Sequence, residues 1–159
     1  MLFDSKQLEQ LQGIANANLN IQVSLDGGSP AAHDPFRGPG TWRKTVEGIK
    51  LLQSNGFQVS IRTTVTPANA DVLDDLHAFR RGLGIADKEH FVLPMARRGF
   101  AEYGVDVDTD SLLPEMTISA YGTYWYPLVS PGDSDMKVSD KKFPLYEAVQ
   151  SIEERLRAA

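Results

Sequence analysis

The sequence has no cysteine among its 159 residues. A chain without cysteine cannot form disulfides, and it has no thiolate with which to hold zinc or an iron–sulfur cluster. No apolar run is long enough to span a membrane. The formal net charge of -5 at pH 7 leaves no strongly basic surface. We therefore expect a cytoplasmic protein that binds neither nucleic acid nor membranes.

The composition that remains is that of a folded protein. Apolar residues make up 42% of the sequence and charged residues 23%, proportions typical of globular domains. The pattern of the sequence changes near residue 99. We expect an α/β region over residues 1–99 and a carboxyl-terminal extension over residues 100–159.

Apolar periodicity in the first region switches between that of helices and that of strands. Three helices are predicted, over residues 5–16, 41–54 and 69–83. Three short strands are predicted between and after them, over residues 21–25, 57–65 and 91–93. The Gly-, Pro-, Ser- and Asp-containing segment between the first strand and Thr41 is predicted to be a loop. This order predicts an α/β fold with three parallel strands and flanking helices.

The carboxyl-terminal extension has a different character. Residues 97–113 are predicted to be irregular, and residues 130–134 form a polar loop. Residues 117–129 suit a small hairpin rich in aromatic side chains, namely Tyr121, Tyr124, Trp125 and Tyr126. An amphipathic helix then ends the chain, with its apolar side at Leu145, Val149, Ile152 and Leu156.

Polar residues lie where the first two predicted strands end. Because parallel strands point their carboxyl ends to one edge, Ser24 and Asp26 should lie near Thr64 and Asn69. An acid beside two glycines can accept ribose hydroxyls, and Arg37 in the following segment can fork onto a carboxylate. The alternative is that Asp-Gly-Gly is an ordinary turn, which is the commoner role of such residues.

The histidines and the acidic residues do not form a recognisable metal site. His33 is expected to cap or bridge within its loop, and His77 and His90 are expected to be structural. Asp106, Asp108 and Asp110 alternate as in a calcium loop, but the required glycine and glutamate are absent, so a solvated acidic loop is predicted. No acid–base pair, activated nucleophile or phosphate loop is visible, and we assign no catalytic residue and no metal ligand.

Several motifs taken together resemble a known family. They are Val23-Ser24-Leu25-Asp26-Gly27, His33-Asp34-x-x-Arg37-Gly38, Gly48-Ile49-x-x-Leu52 with Asn55-Gly56, and Thr64-Val65-Thr66-x-x-Asn69. As a set they are similar to the second half of the radical S-adenosylmethionine core domain. The likeness is greatest to the branch of peptide-modifying and sulfatase-maturing enzymes.

This resemblance implies a partial (β/α) barrel whose three strands correspond to the fourth, fifth and sixth strands of the family. It also implies S-adenosylmethionine as a ligand, with Ser24 and Asp26 near its ribose and Arg37 at its carboxylate. Thr64 and Asn69 would be further neighbours of this cofactor. The family carries a [4Fe–4S] cluster on three cysteines, and this chain offers no ligand for it.

The resemblance and the missing cysteines leave three functions open. The first is a truncated or degenerate radical S-adenosylmethionine domain that is inactive alone. The second is one half of a split enzyme, whose partner protein supplies the other strands and the cysteines. The third is a non-catalytic binding module, for which the aromatic segment near Trp125 could be the surface. Three strands do not close a barrel, so the first strand should present an open edge through which homo-oligomers can form.

Overall fold

A computed structural model describes residues 5–13, 19–67, 69–97, 102–107, 115–126, 134–141 and 143–158. The chain divides into two compact units, Met1–Met95 and Ala96–Ala159. None of the described helices has the length and apolar character needed to cross a lipid bilayer.

The first unit alternates helices and strands, as its sequence predicts. Its helices are α1 (Ser5–Gly13), α2 (Pro30–Arg37), α3 (Thr41–Ser54) and α4 (Leu73–Gly82), with single 3₁₀ turns at Ala70–Val72 and Asp87–Glu89. Its strands are β1 (Asn20–Ser24), β2 (Gln58–Val65) and β3 (His90–Pro94). They form one parallel sheet in the order β1-β2-β3, which confirms the predicted α/β fold with three parallel strands.

The helices cover one face of this sheet. Ile61 on β2 is fully buried and packs in a cluster with Ile49 and Leu52 of α3 and Leu76 of α4. Full burial of such a side chain stabilises the fold by about 1.5–3 kcal/mol. Because side chains alternate along a strand, the even-numbered residues of β2 lie on the opposite face.

Helix α2 is a correction to the sequence analysis, which predicted a loop over this segment. Ser29 occupies the amino-terminal cap position in extended backbone, and Pro30 is the first helical residue. Proline is favoured there because its missing N–H would have no partner in the first turn. The Ser-Pro pair was the available signal, although Pro35 inside the helix obscures it.

Helix α3 begins through a contact with α2. Its cap residue is Gly40, with φ 74°. The Asp34 carboxylate accepts the Gly40 N–H at 2.7 Å and the Trp42 N–H at 2.8 Å. The hydrogen bond from the Trp42 N–H is the main cause that lowers the pKa of Asp34 below its usual value, and the bond from Gly40 adds to it. A side chain from the preceding helix thus caps α3.

The second unit contains a small antiparallel sheet and one helix. Its strands are β4 (Thr117–Ser119), β5 (Gly122–Tyr124) and β6 (Lys137–Ser139), and its helix is α5 (Tyr146–Ala158). Strands β4 and β5 pair antiparallel within the segment predicted to be an aromatic hairpin, β6 adds a third strand, and Tyr124 is the member of the aromatic group that lies on a described strand. Tyr124 and Trp125 are buried. The predictions for residues 14–16, 98–101, 108–113 and 127–133 lie outside the described residues.

Candidate functional site

The predicted site residues belong to the first unit, at the edge where β1 and β2 end. Four of the five predicted residues, Asp26, Arg37, Thr64 and Asn69, are joined by direct hydrogen bonds there. Ser24 lies at the end of β1 and is exposed. The sequence therefore predicted which residues meet at this edge, although their bonds to one another were not predicted.

The Asp26 carboxylate is held inside the protein. Its Oδ1 accepts the backbone N–H of Thr64 at 2.9 Å, and its Oδ2 accepts the Nε–H of Arg37 at 2.6 Å. Asp26 is 3% exposed, so these bonds form largely out of water. Charge-assisted bonds in such a place are stronger than neutral ones. Both oxygens already have partners in the chain, and each would have to be shared to bind a ribose.

Asn69 ties the loop after β2 to the loop after β1. Its Nδ2 donates to the Asp26 carbonyl at 2.8 Å and to the Thr64 carbonyl at 2.9 Å, while its Oδ1 accepts the Thr66 N–H at 2.7 Å. The side chain is fully buried. With three bonds to backbone groups, Asn69 fixes the path of both loops and acts on the site through them.

His33 was predicted to bridge within its segment, and it does so from helix α2. Its Nδ1 accepts the backbone N–H of Asp26 at 3.0 Å. This ring is therefore neutral, with its proton on Nε2. Burial lowers the pKa of His33 below 6.5, and the positive charge of Arg37 adds to that effect against the opposing charge of Asp26.

The space beside Gly27 and Gly28 is occupied by other parts of the protein and is not open to a ligand. A Cβ on Gly27 would overlap the Ala32 side chain of α2 and approach its carbonyl carbon to 2.7 Å. A Cβ on Gly28 would lie 3.0 Å from the Asp75 carbonyl oxygen of α4. These two positions bring the loop against the two helices, so the turn interpretation of Asp-Gly-Gly describes this loop better than a ligand cradle.

The sheet face away from the helices is different. We call its carboxyl-terminal half the open face, formed by Gln22 and Ser24 of β1, Arg62 and Thr64 of β2, and Phe91 and Leu93 of β3. All six are exposed or half-buried. Within the described part of the chain, the Arg62 guanidinium has no hydrogen-bond or ion-pair partner. The sequence analysis did not single out Arg62, although its place in the alternation of β2 signals this face.

The remaining histidines are packed against each other. His77 and His90 lie with their rings 5.1 Å apart, edge to face, and His90 Nε2 is 2.7 Å from the Thr63 hydroxyl. Burial lowers the pKa of His90, and His77 and Arg80 lower it further. Among the described residues no group of three potential metal ligands exists.

Comparison with known proteins identifies relatives over part of the chain. An AdoMet-dependent heme synthase of Oleidesulfovibrio alaskensis is 36% identical over 88 residues, which are 55% of this chain and 22% of that protein. The AdoMet-dependent heme synthase of Methanosarcina barkeri is 34% identical over 48% of this chain and 23% of its own length. The mycofactocin maturase MftC of Mycolicibacterium smegmatis is 32% identical over 44% of this chain and 18% of its own length.

The aligned part is thus about a fifth of each relative's length. No protein-family model matches the chain, and no solved structure does. The relatives are radical S-adenosylmethionine enzymes, which confirms the predicted resemblance of this chain to that superfamily over part of its length.

Proposed function

We propose that the first unit is the second half of a radical S-adenosylmethionine core, a partial (β/α) barrel that binds the cofactor but does not cleave it alone. The observation that carries this proposal is the parallel sheet β1-β2-β3, with the family's motifs at the carboxyl ends of its strands, in a chain without cysteine. The cysteine-bearing half would then come from polypeptide outside these 159 residues.

The residues present fit S-adenosylmethionine in part. Among the described residues the Ser24 hydroxyl at the strand end has no hydrogen-bond partner. The Arg37 side chain is 38% exposed, and its bond to Asp26 uses Nε, so its two terminal nitrogens have no partner among the described residues. Asp26 and Asn69 fix the loops on which these groups sit and are positioning residues in this proposal. Bound S-adenosylmethionine would supply the adenosyl group for radical chemistry.

The iron–sulfur cluster does not fit this chain. Its ligands are cysteine thiolates, and the sequence has none. Reductive cleavage of S-adenosylmethionine needs an electron from that cluster. We therefore propose that this chain holds and orients the cofactor and that no electron transfer step belongs to it.

The cleavage assay tests this division of labour. The purified chain is incubated with ferrous iron, sulfide, dithionite and S-adenosylmethionine, and 5′-deoxyadenosine is measured by chromatography against a protein-free control. We expect no 5′-deoxyadenosine above that control. If 5′-deoxyadenosine accumulates in proportion to the amount of protein, the proposal is wrong, because the chain would then carry a competent redox centre.

The open edge of β1 is where we propose that another polypeptide joins. None of the described strands pairs with β1 on the side away from β2. Leu25 donates its N–H to Arg62 on β2, so by the alternation of a parallel ladder the Gln22 N–H points away from β2. Unpaired edges of this kind accept a further strand, either from the missing barrel half or from a second copy of the chain.

Replacing Gln22 with proline separates pairing from folding. Gln22→Pro removes an N–H that β1 does not use toward β2, so the urea midpoint should change little while pairing through this edge is lost. Sedimentation velocity at several concentrations reports the pairing, with the exposed Gln58→Pro at the first residue of β2 as a control for proline in a strand. Self-association that persists unchanged in Gln22→Pro would rule out the β1 edge.

A non-catalytic binding module is the second candidate, and the absence of thiolates favours it. Under this hypothesis the chain keeps the fold but no cofactor. It predicts a stable chain whose melting is indifferent to S-adenosylmethionine. The aromatic segment is a weak candidate for its surface, because Tyr124 and Trp125 are 1% and 7% exposed.

A further inference from the structure

Arg62 holds an unusual position in the first unit. It lies on β2, the central strand, opposite Ser24 on one side and Phe91 on the other. It is half-buried, and its guanidinium has no partner among the described residues. Its nitrogens are not among the buried polar atoms that lack a partner, so the guanidinium reaches solvent and is accessible to a ligand. The open face therefore offers a cation that no described residue pairs with.

The other arginine near the site is already engaged. Arg37 donates its Nε–H to Asp26 at 2.6 Å, which removes one of the two edges through which a guanidinium grips a carboxylate. None of the Arg62 nitrogens has a hydrogen-bond or ion-pair partner among the described residues. Sequence reasoning assigned carboxylate binding to Arg37, and Arg62 is a second cation available for this role.

The neighbours of Arg62 define what accompanies the carboxylate. Phe91 and Leu93, 46% and 38% exposed, border Arg62 and Thr64 along β3. Ser24 borders Arg62 along β1 and is exposed. One edge of the open face is thus apolar, and the other carries a hydroxyl. A ligand with a carboxylate beside an apolar or aromatic body matches this arrangement.

We infer that Arg62 is the anion-recognising residue of the open face and binds a carboxylate carried next to an apolar body. This inference rests on the proposed function, since it takes the open face to be the interior of the barrel. The same chemistry has two sources, a substrate carboxylate or the methionine carboxylate of S-adenosylmethionine. The experiment below distinguishes them.

Isothermal titration calorimetry of the full 159-residue chain tests the inference with four probes. Naphthalene-2,6-dicarboxylate and its uncharged diamide represent an aromatic ligand with and without carboxylates. S-adenosylmethionine and 5′-methylthioadenosine represent the cofactor with and without its carboxylate. The variants are Arg62→Gln, the charge-preserving Arg62→Lys, and Arg81→Gln on the exposed surface of α4 as the matched control.

Loss of a charge-assisted bond should weaken carboxylate binding about tenfold or more in Arg62→Gln. Arg62→Lys should fall between that variant and the wild type, because it keeps the charge and loses the fork. Both uncharged probes and Arg81→Gln should be unaffected. A selective effect on the naphthalene dicarboxylate assigns Arg62 to a substrate, and a selective effect on S-adenosylmethionine assigns it to the cofactor.

Failure has a distinct signature. If neither carboxylate probe binds, or if Arg62→Gln and Arg62→Lys bind both as tightly as wild type, the inference is overturned. An equal loss in Arg81→Gln overturns it too, since any surface cation would then serve. If S-adenosylmethionine fails to bind the wild type while Arg62-dependent binding of the dicarboxylate remains, the proposed function fails and the inference stands. Circular dichroism of each variant confirms that it is folded.

Discussion

The loop after β1 and the open face of the sheet are both polar, but their polar groups are used differently. In the loop, both oxygens of the Asp26 carboxylate and both polar atoms of the Asn69 amide bond to other parts of the chain. On the open face, Arg62 and Ser24 have no such partners among the described residues. A polar residue satisfied by its own protein holds a site in shape, whereas one left unsatisfied is available to a ligand.

The largest expected effect comes from removing the centre of the loop network. Asp26→Ala would leave the half-buried Thr64 N–H and the Arg37 guanidinium without their acceptor, and we expect a loss of about 3 kcal/mol in the free energy of unfolding. Urea denaturation measures this loss. Asp71→Ala, at an exposed position, is the control and should change little. Equal stability of the two variants would mean that the loop is not structural.

A smaller effect should follow from filling the space behind the glycine pair. Gly27→Ala places a Cβ against Ala32, and overpacking of this kind costs about 1–3 kcal/mol. Gly82→Ala is the matched control, because nothing lies within 4 Å of its Cβ and alanine is the better helix former. Thermal denaturation should show a lower midpoint for Gly27→Ala and an unchanged or higher one for Gly82→Ala. An unchanged midpoint in Gly27→Ala would argue that this loop has room for a ligand.

The Asp34 cap should matter less than either change. Asp34→Ala removes the acceptor for the Gly40 and Trp42 N–H groups and should lower the midpoint of thermal unfolding. Asp34→Asn keeps an acceptor and should recover part of the loss. Because the pKa of Asp34 is lowered in the folded chain, its contribution is present at neutral pH and is lost in acid. A cap that contributed nothing would leave both variants at the wild-type midpoint.

The smallest effect expected is a pH dependence from His33. Its folded pKa lies below 6.5, so protons bind the unfolded chain first and stability should fall as pH drops below about 6.5. Protonation would also place an N–H against the Asp26 N–H. Urea midpoints at pH 7.5 and 5.5 measure the decline, to which His90 contributes in the same direction. His33→Asn keeps an acceptor that does not titrate, and its decline should be shallower than that of wild type.

Sequence periodicity was enough to place the parallel sheet. The alternation at Val59 and Ile61 and the glycine endings at Gly56 and Gly84, both with positive φ, are local signals that the structure keeps. Helix α2 was not predicted, because Pro35 and the flanking glycines outweigh a short helical pattern. Strand β6, three residues long, depends on its pairing with β5 and carries no periodic signal of its own.

The sequence predicted which residues form the site. It did not predict which of them hold the loops in place and which are available to a ligand. Ser24, Asp26, Thr64 and Asn69 follow from where parallel strands end. That Asp26 would bind Arg37 depends on the position of α2, which brings the arginine back over the loop. Arg62 was not predicted, because a single arginine in a strand belongs to no recognisable motif. That it has no partner among the described residues can be seen only in the structure.

Thermal melting of the purified chain with and without S-adenosylmethionine tests the central claim most directly. The account predicts a cooperative melt whose midpoint rises saturably, with about 2.7 kcal/mol of added stability when the ligand is at a hundred times its dissociation constant. The rise should be smaller in Ser24→Ala, which leaves the loop network intact. A cooperative melt that S-adenosylmethionine does not move at any concentration would contradict the claim that this chain keeps the cofactor-binding half of the core.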